Sequence, residues 1–187
     1  MTDDLTQELA ATLRAARTDR ELSVNALADR SGVSRAMIAK IERGEAQPTA
    51  ALLGRLAAAL GLTLSELFAR TEGESPRLAR RAEQTVWVDP ETGYQRRSVS
   101  PAAGSVQVVE VELPGGASVD YPADAFAIAA HQIYVLAGRL HFHEGELRHD
   151  LAAGDCLELG APAPCTYRNP TGEPCRYLVI LTPRRPR

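Results

Sequence analysis

The chain has 187 residues, a formal net charge of -3 and 44% hydrophobic residues, which leaves room for a small helical domain and one further domain of about 100 residues. It holds no apolar run of membrane-spanning length, and its start, MTDDLTQ, is acidic where a signal peptide would be basic and then apolar, so a cytoplasmic protein is expected. Cys156, Cys165 and Cys175 form an odd set without a CxxC pair, which argues against a disulfide framework and for reduced thiols.

Leu5, Leu9 and Leu13 repeat at i, i+4 and predict a first helix. Ser23 is placed to cap a second helix carrying Leu27 and Ala28, where the small Ala28 lets another helix cross closely. Gly32 then supplies a residue that tolerates positive φ for a tight turn, and Val33 can plug the angle between the two helices. Ser34 is an N-cap for a third helix whose buried stripe is Ile38 and Ile41, leaving Arg35, Ala36, Ala39, Lys40 and Arg43 facing outward. An outward face of this kind, one turn after a glycine, is the DNA-reading face of a recognition helix. Gly44 ends that helix. Pro48 and Thr49 start a fourth, with Leu52, Leu53, Leu56, Ala57 and Leu60 on its apolar face, and Gly61 closes it. Thr63, with Glu66 three residues on, has the spacing of a capping box for a short fifth helix.

A small helical bundle that binds no nucleic acid is the competing reading, because Met1 to Arg70 holds nine Lys or Arg and nine Asp or Glu. Placement decides against it: Arg35, Lys40 and Arg43 sit on the third helix, whereas Asp3, Asp4, Glu8, Asp19 and Glu21 lie on or beside the first. The order of five short helices resembles the phage-repressor-like (xenobiotic-response-element, XRE) helix-turn-helix family over roughly residues 5 to 69, most closely in SGVSRAMIAKIERGEAQPT. The resemblance implies that Ser34 and Arg43 contact phosphate and that Arg35, Ala36 and Lys40 face base edges of a double-stranded operator. Arg or Lys can pair with guanine there, and Ala36 can offer apolar contact to a thymine methyl.

The segment ARTEGESPRLARRAEQ is polar and charged, with Gly73 and Pro76, and reads as a linker over residues 70–84. Arg77, Arg80 and Arg81 read there as a solvated charge cluster. From Thr85 the period becomes alternating, and TVWV, RRSVS, SVQVVEVEL, QIYVLAG, RLHFH, ELRHDL, DCLELG, CTYRN and CRYLVILT are strand candidates. Many short strands joined by turns such as Glu144-Gly145 argue for an all-β barrel or sandwich. In His141-Phe142-His143 the strand period puts Phe142 with Leu140 inward and both histidines outward, so this HxH is expected on the surface. By the same alternation Cys156 faces outward, while Trp87 and Tyr177 are expected in the core or at an interface.

The order VELPGGASVD, QIYVLAGRLHF, then HEGELRHDLAAGDCLELGAPAPCTYRNPTGEPCRYLVIL resembles the small cupin barrel over roughly residues 103 to 182. The two halves together are similar to bacterial regulators that join an XRE helix-turn-helix to a cupin sensor. That resemblance implies a two-domain α + β chain. Residues 1–69 are then a five-helix lambda-repressor-like DNA-binding domain, and residues 85–187 an all-β cupin, a double-stranded β-helix jelly-roll barrel.

Metal-binding cupins converge two His, a Glu and a third His on one ion. Counting back from Gly138 and Asn169, the corresponding positions here are Asp124, Phe126, His131 and Cys165, and none keeps the usual ligand. No metal cofactor is therefore expected. The same side chains, with Tyr167, are expected to line a pocket for an organic effector; a zinc site made of Asp124, His131 and Cys165 is the alternative. The implied function is a ligand-responsive, non-enzymatic transcriptional regulator that acts as a homodimer, with repression the expected outcome. A metal-dependent cupin enzyme with an accessory helical domain, and an antitoxin-like protein-interaction module, are the competing classes.

Overall fold

The computed structural model describes residues 2–70, 77–102 and 104–183. Five helices come first: α1 (Thr2–Thr18), α2 (Val24–Ser31), α3 (Arg35–Glu42), α4 (Ala50–Ala59) and α5 (Leu64–Ala69). Each of the last four starts where a hydroxyl can replace a missing carbonyl. Ser23 accepts from the Ala26 amide at 3.1 Å, Ser34 from Met37 at 3.2 Å, and Thr49 from Leu52 at 3.3 Å. Thr63 accepts from Glu66 at 3.0 Å while the Glu66 carboxylate accepts from the Thr63 amide at 2.7 Å, completing the capping box. Gly32 holds the turn between α2 and α3 at φ +65°, a conformation that costs a side-chain-bearing residue. Leu9, Leu13, Leu27, Val33, Ile38, Ile41, Leu53 and Leu56 are all buried between the helices, as the apolar spacing requires. Arg17 on α1 donates through Nε and Nη2 to both oxygens of Glu42 at 2.7 and 2.9 Å, which pins the end of α3 against α1.

The second part is all β. A six-stranded sheet has the order β1 (Val86–Val88), β2 (Gln95–Ser98), β3 (Gln107–Leu113), β10 (Cys175–Pro183), β5 (Ala129–Ala137), β8 (Cys156–Glu158). Facing it, a four-stranded sheet has the order β4 (Ser118–Tyr121), β9 (Cys165–Arg168), β6 (Arg139–Glu144), β7 (Leu147–Ala152). Every strand candidate from the sequence corresponds to one of these. β4 is the addition: four residues of mixed character after Gly115-Gly116 carry too little alternation to announce a strand.

The expected jelly-roll barrel is corrected by this topology, because among the described residues no ladder joins the two sheets and no closed barrel is formed. Their edges are of the kind that stay unpaired: β1 and β8 are three residues long, and β7 presents Arg148 and Asp150 to solvent. The inner faces supply the core, with Val109, Val111, Ile133, Val135, Leu140, Phe142, Tyr167 and Tyr177 buried between the sheets.

The helical and β parts share a packed seam. Asp89, 2% exposed, follows β1 and accepts from the Ala50 amide at the start of α4 at 2.9 Å. Its other oxygen accepts from the Thr92 amide at 3.0 Å and the Thr92 hydroxyl at 2.5 Å. Gln47 donates to the Val88 carbonyl at 3.2 Å, and Phe68 of α5 lies 5.8 Å from the Trp87 ring. Gly54 of α4 meets the Tyr121 ring so closely that a Cβ there would stand 2.5 Å from Tyr121 Cδ1. Of the linker, residues 71–76, with Gly73 and Pro76, lie outside the described residues. Arg77 and Arg80 are exposed, and Arg81 opens a 3-10 turn (Arg81–Glu83) 3.6 Å from Glu110.

Candidate functional site

Two surfaces carry chemistry: the outward face of α3 and a cavity under the seam. On α3, Ser34, Arg35, Ala36, Lys40 and Arg43 are all exposed, on the side opposite the buried Ile38 and Ile41. Arg35 Nη1 lies 3.5 Å from Asn25 Oδ1, a long contact that leaves the guanidinium available. Arg43 is held by Glu45 through two bonds of 2.6 and 2.7 Å, which keeps the Glu45 carboxyl below its usual range. A phosphate at Arg43 must therefore displace an exposed carboxylate. Ser34 spends an oxygen lone pair on the Met37 amide, yet its hydroxyl hydrogen remains for donation.

The cavity has a volume of about 50 Å³, room for a few waters. It lies between the β part and the helices. From the β part its walls include Tyr94, Arg96, Tyr121, Phe126, His131 and Tyr167. Ala125 and, from β10, Tyr177, Val179 and Leu181 complete that side, and Gly54, Leu62, Leu64 and Ser65 close it from the helical part. Tyr121 stands edge-on to both Phe126 and Tyr167, at 6.3 and 6.0 Å, and Tyr167 stacks on Tyr177 at 5.6 Å. Burial pushes the phenols of Tyr121, Tyr167 and Tyr177 well above the ordinary tyrosine value, so they stay protonated donors. His131 is 7% exposed, with Nδ1 3.1 Å from the Ala129 carbonyl and its ring 5.1 Å from Phe126.

Of the sequence-predicted pocket residues, Phe126, His131 and Tyr167 therefore meet at one cavity. Asp124 and Cys165 do not. Asp124 is exposed, because it lies on a 3-10 turn (Ala123–Phe126) in which residues two apart point in different directions. Cys165 is buried away from the cavity lining and donates to the Ala163 carbonyl at 3.2 Å. Among the described residues no three His, Cys, Asp or Glu side chains converge to hold a metal ion, so the alternative zinc trio is not assembled. His141 and His143 are half-buried on the face opposite Leu140 and Phe142, as the period predicts. Sequence reasoning missed Arg96 and the whole helical wall. The only signal for Arg96 was alternation, which does not say whether it or Arg97 turns inward.

Burial pushes the thiol of Cys165 up to about 12 and that of Cys175 up to about 11, while Cys156 is exposed. The neutral thiol is therefore the form favoured by folding at both buried sites, below the alkaline range where each would ionise. An aromatic disulfide reagent at neutral pH should modify Cys156 alone in the folded protein and all three cysteines after denaturation. Rapid labelling of Cys165 in the folded state would contradict this packing.

A family model described as Helix-turn-helix matches residues 13–67, and one described as Cupin domain matches residues 110–181. The HTH-type transcriptional regulator SutR of Escherichia coli (strain K12) is 29% identical over 110 residues, 56% of this chain. The chain spans 62% of that relative's length. The crystal structure of an HTH_3 family transcriptional regulator from Vibrio cholerae superposes with a TM-score of 0.80 at 26% identity, over 99% of this chain and all (100%) of its own. Hydroxypropylphosphonic acid epoxidase from S. wedmorenis aligns over 94% of this chain and 97% of its own, at 17% identity and a TM-score of 0.46. A likeness at that level says nothing about chemistry. No described helix is long and apolar enough to cross a membrane.

Proposed function

The chain joins an N-terminal XRE-like helix-turn-helix domain to a C-terminal cupin domain, and from that pairing we propose a sequence-specific DNA-binding transcriptional regulator whose cupin domain senses a small-molecule effector. Residues 1–69 are the reading unit and residues 85–187 the sensing unit, of jelly-roll kind with its two sheets left open. The protein is not an enzyme, works in the cytoplasm and represses its target. One observation carries the reading: the cavity beneath the cupin aromatics is walled on its other side by Gly54, Leu62, Leu64 and Ser65 of the helical domain. An effector in this cavity touches both domains, and one that binds a displaced arrangement of the helices better shifts the population toward it.

One helix-turn-helix reads a single half-site, so a homodimer on a partly palindromic operator is the working form. Displacement of α4 and α5 then changes the separation of two recognition helices. Selection of genomic fragments with the purified full chain tests the DNA-binding half of this reading. It should return one short palindromic sequence, and Arg35→Ala should weaken binding to it by about 1–3 kcal/mol while relaxing specificity. An equal loss on selected and random DNA would remove Arg35 from base reading. Recovery of no preferred sequence would remove the proposal.

A further inference from the structure

Arg96 is the feature of the cavity that the helical and aromatic packing leaves unexplained. It lies on β2 opposite Trp87 and Val111, pointing with them into an otherwise apolar inner face, and is 5% exposed. Its guanidinium lies 5.5 Å from the centre of the Phe68 ring, and its Nη2 donates to the Ser65 hydroxyl of α5. Its Nε is buried without a hydrogen-bond partner, and none of the described ion pairs includes it. Among the described residues no Asp or Glu lines the cavity. The Tyr121 hydroxyl is also buried there, near that of Tyr94 but outside good bonding geometry.

A buried arginine normally faces an anion. The chain shows which anion suits its geometry. Arg17, Arg43 and Arg148 each grip a carboxylate, Glu42, Glu45 and Asp150, with the same two nitrogens, Nε and Nη2. In Arg96 that fork holds a neutral hydroxyl on one prong and nothing on the other. We infer that the effector is an apolar monocarboxylate whose carboxylate takes the Nε/Nη2 fork of Arg96 and displaces Ser65, with its hydrocarbon portion among Tyr121, Tyr167, Leu62 and Val179. Arg96 is the one Lys or Arg of the lining, so it balances one negative charge, which fits a carboxylate rather than a phosphate dianion. Losing Ser65 removes a hydrogen bond that ties α5 to the β part, so the same contact that recognises the ligand loosens the seam.

This rests on the sensor reading above, and the test separates the two. Acetate, isovalerate, benzoate and phenylacetate are titrated into the full chain together with their primary amides and the matching amines. Binding is followed by calorimetry and by the emission of Trp87, the single tryptophan, which sits against Phe68 at the seam. At least one of the larger acids should bind saturably below about 10 mM and shift that emission, with its amide at least about 100-fold weaker. Arg96→Met should abolish acid binding. Ser65→Ala, which keeps Arg96 and removes its competitor, should tighten acid binding by about five-fold, whereas a merely structural role for Ser65 predicts weaker or unchanged binding. Preference for amides or amines, or acid binding that survives Arg96→Met, overturns the carboxylate assignment and leaves the sensor reading standing. No saturable binding by any of the acids likewise overturns the carboxylate assignment.

Discussion

Asp89→Ala is expected to destabilise the protein by about 3–4 kcal/mol, the largest effect of any single polar change at the seam. The carboxylate, itself 2% exposed, accepts three hydrogen bonds, from the half-buried Thr92 amide and hydroxyl and from the Ala50 amide, which at 1% exposure has no water to turn to. Its negative charge also stands at the N-terminus of α4, where helix amides present partial positive charge. Removing it leaves a buried amide orphaned at a helix start that Thr49 caps only at Leu52. Thermal unfolding should show the midpoint lowered by about 10 °C. Asp89→Asn, which retains one acceptor oxygen, should lose less than half of that. Equal stability of Asp89→Ala and the parent would mean that α4 does not depend on the β part for its start.

The second large effect falls on Gly54. In an isolated helix, replacing a mid-helix glycine by alanine gains about 1 kcal/mol in propensity, so Gly54→Ala would stabilise α4 on its own. Here the new Cβ would lie 2.5 Å from Tyr121 Cδ1 and 2.9 Å from Cε1. The ring cannot swing aside, because Phe126 and Tyr167 hold it edge-on from two sides. Overpacking of this kind costs about 1–3 kcal/mol, which exceeds the propensity gain, and Gly54→Val adds branching at the point of collision. Gly54→Val is therefore expected to lose about 3 kcal/mol and to push α4 off the β part, with a red shift of Trp87 emission as Phe68 withdraws. If Gly54→Ala proves more stable than the parent and leaves the emission unchanged, the seam is looser than the packing of Tyr121 implies.

Much of the fold is legible in the sequence where the determining chemistry is local. Ser23, Ser34, Thr49 and Thr63 each satisfy an amide within three residues, and Gly32, Gly44 and Gly61 each take a positive φ at a helix end, so the helix boundaries can be placed without tertiary contacts. Alternation likewise fixes Leu140 and Phe142 inward, because a strand offers two faces. The reading fails where geometry departs from the assumed period or where the partner is remote. Asp124 and Phe126 share a face on a strand and separate on the 3-10 turn they occupy. Arg96 meets Ser65 across 31 residues of chain, and Gly54 meets Tyr121 across a domain boundary, so neither half announces the other. The cavity is a property of the two domains together.

The same seam bears on how such chains descend. Asp89 and Ala50, or Gly54 and Tyr121, are paired features encoded on opposite sides of the linker, and each is a defect without its mate. A recombination event that placed a foreign β domain behind these helices would inherit a helix start with no acceptor and a bare glycine facing the wrong surface. Exchange of either half by domain shuffling would therefore need both sides to change in step at these pairs, and because Gly54 and Tyr121 also line the cavity, the shape of the cavity is inherited with the junction.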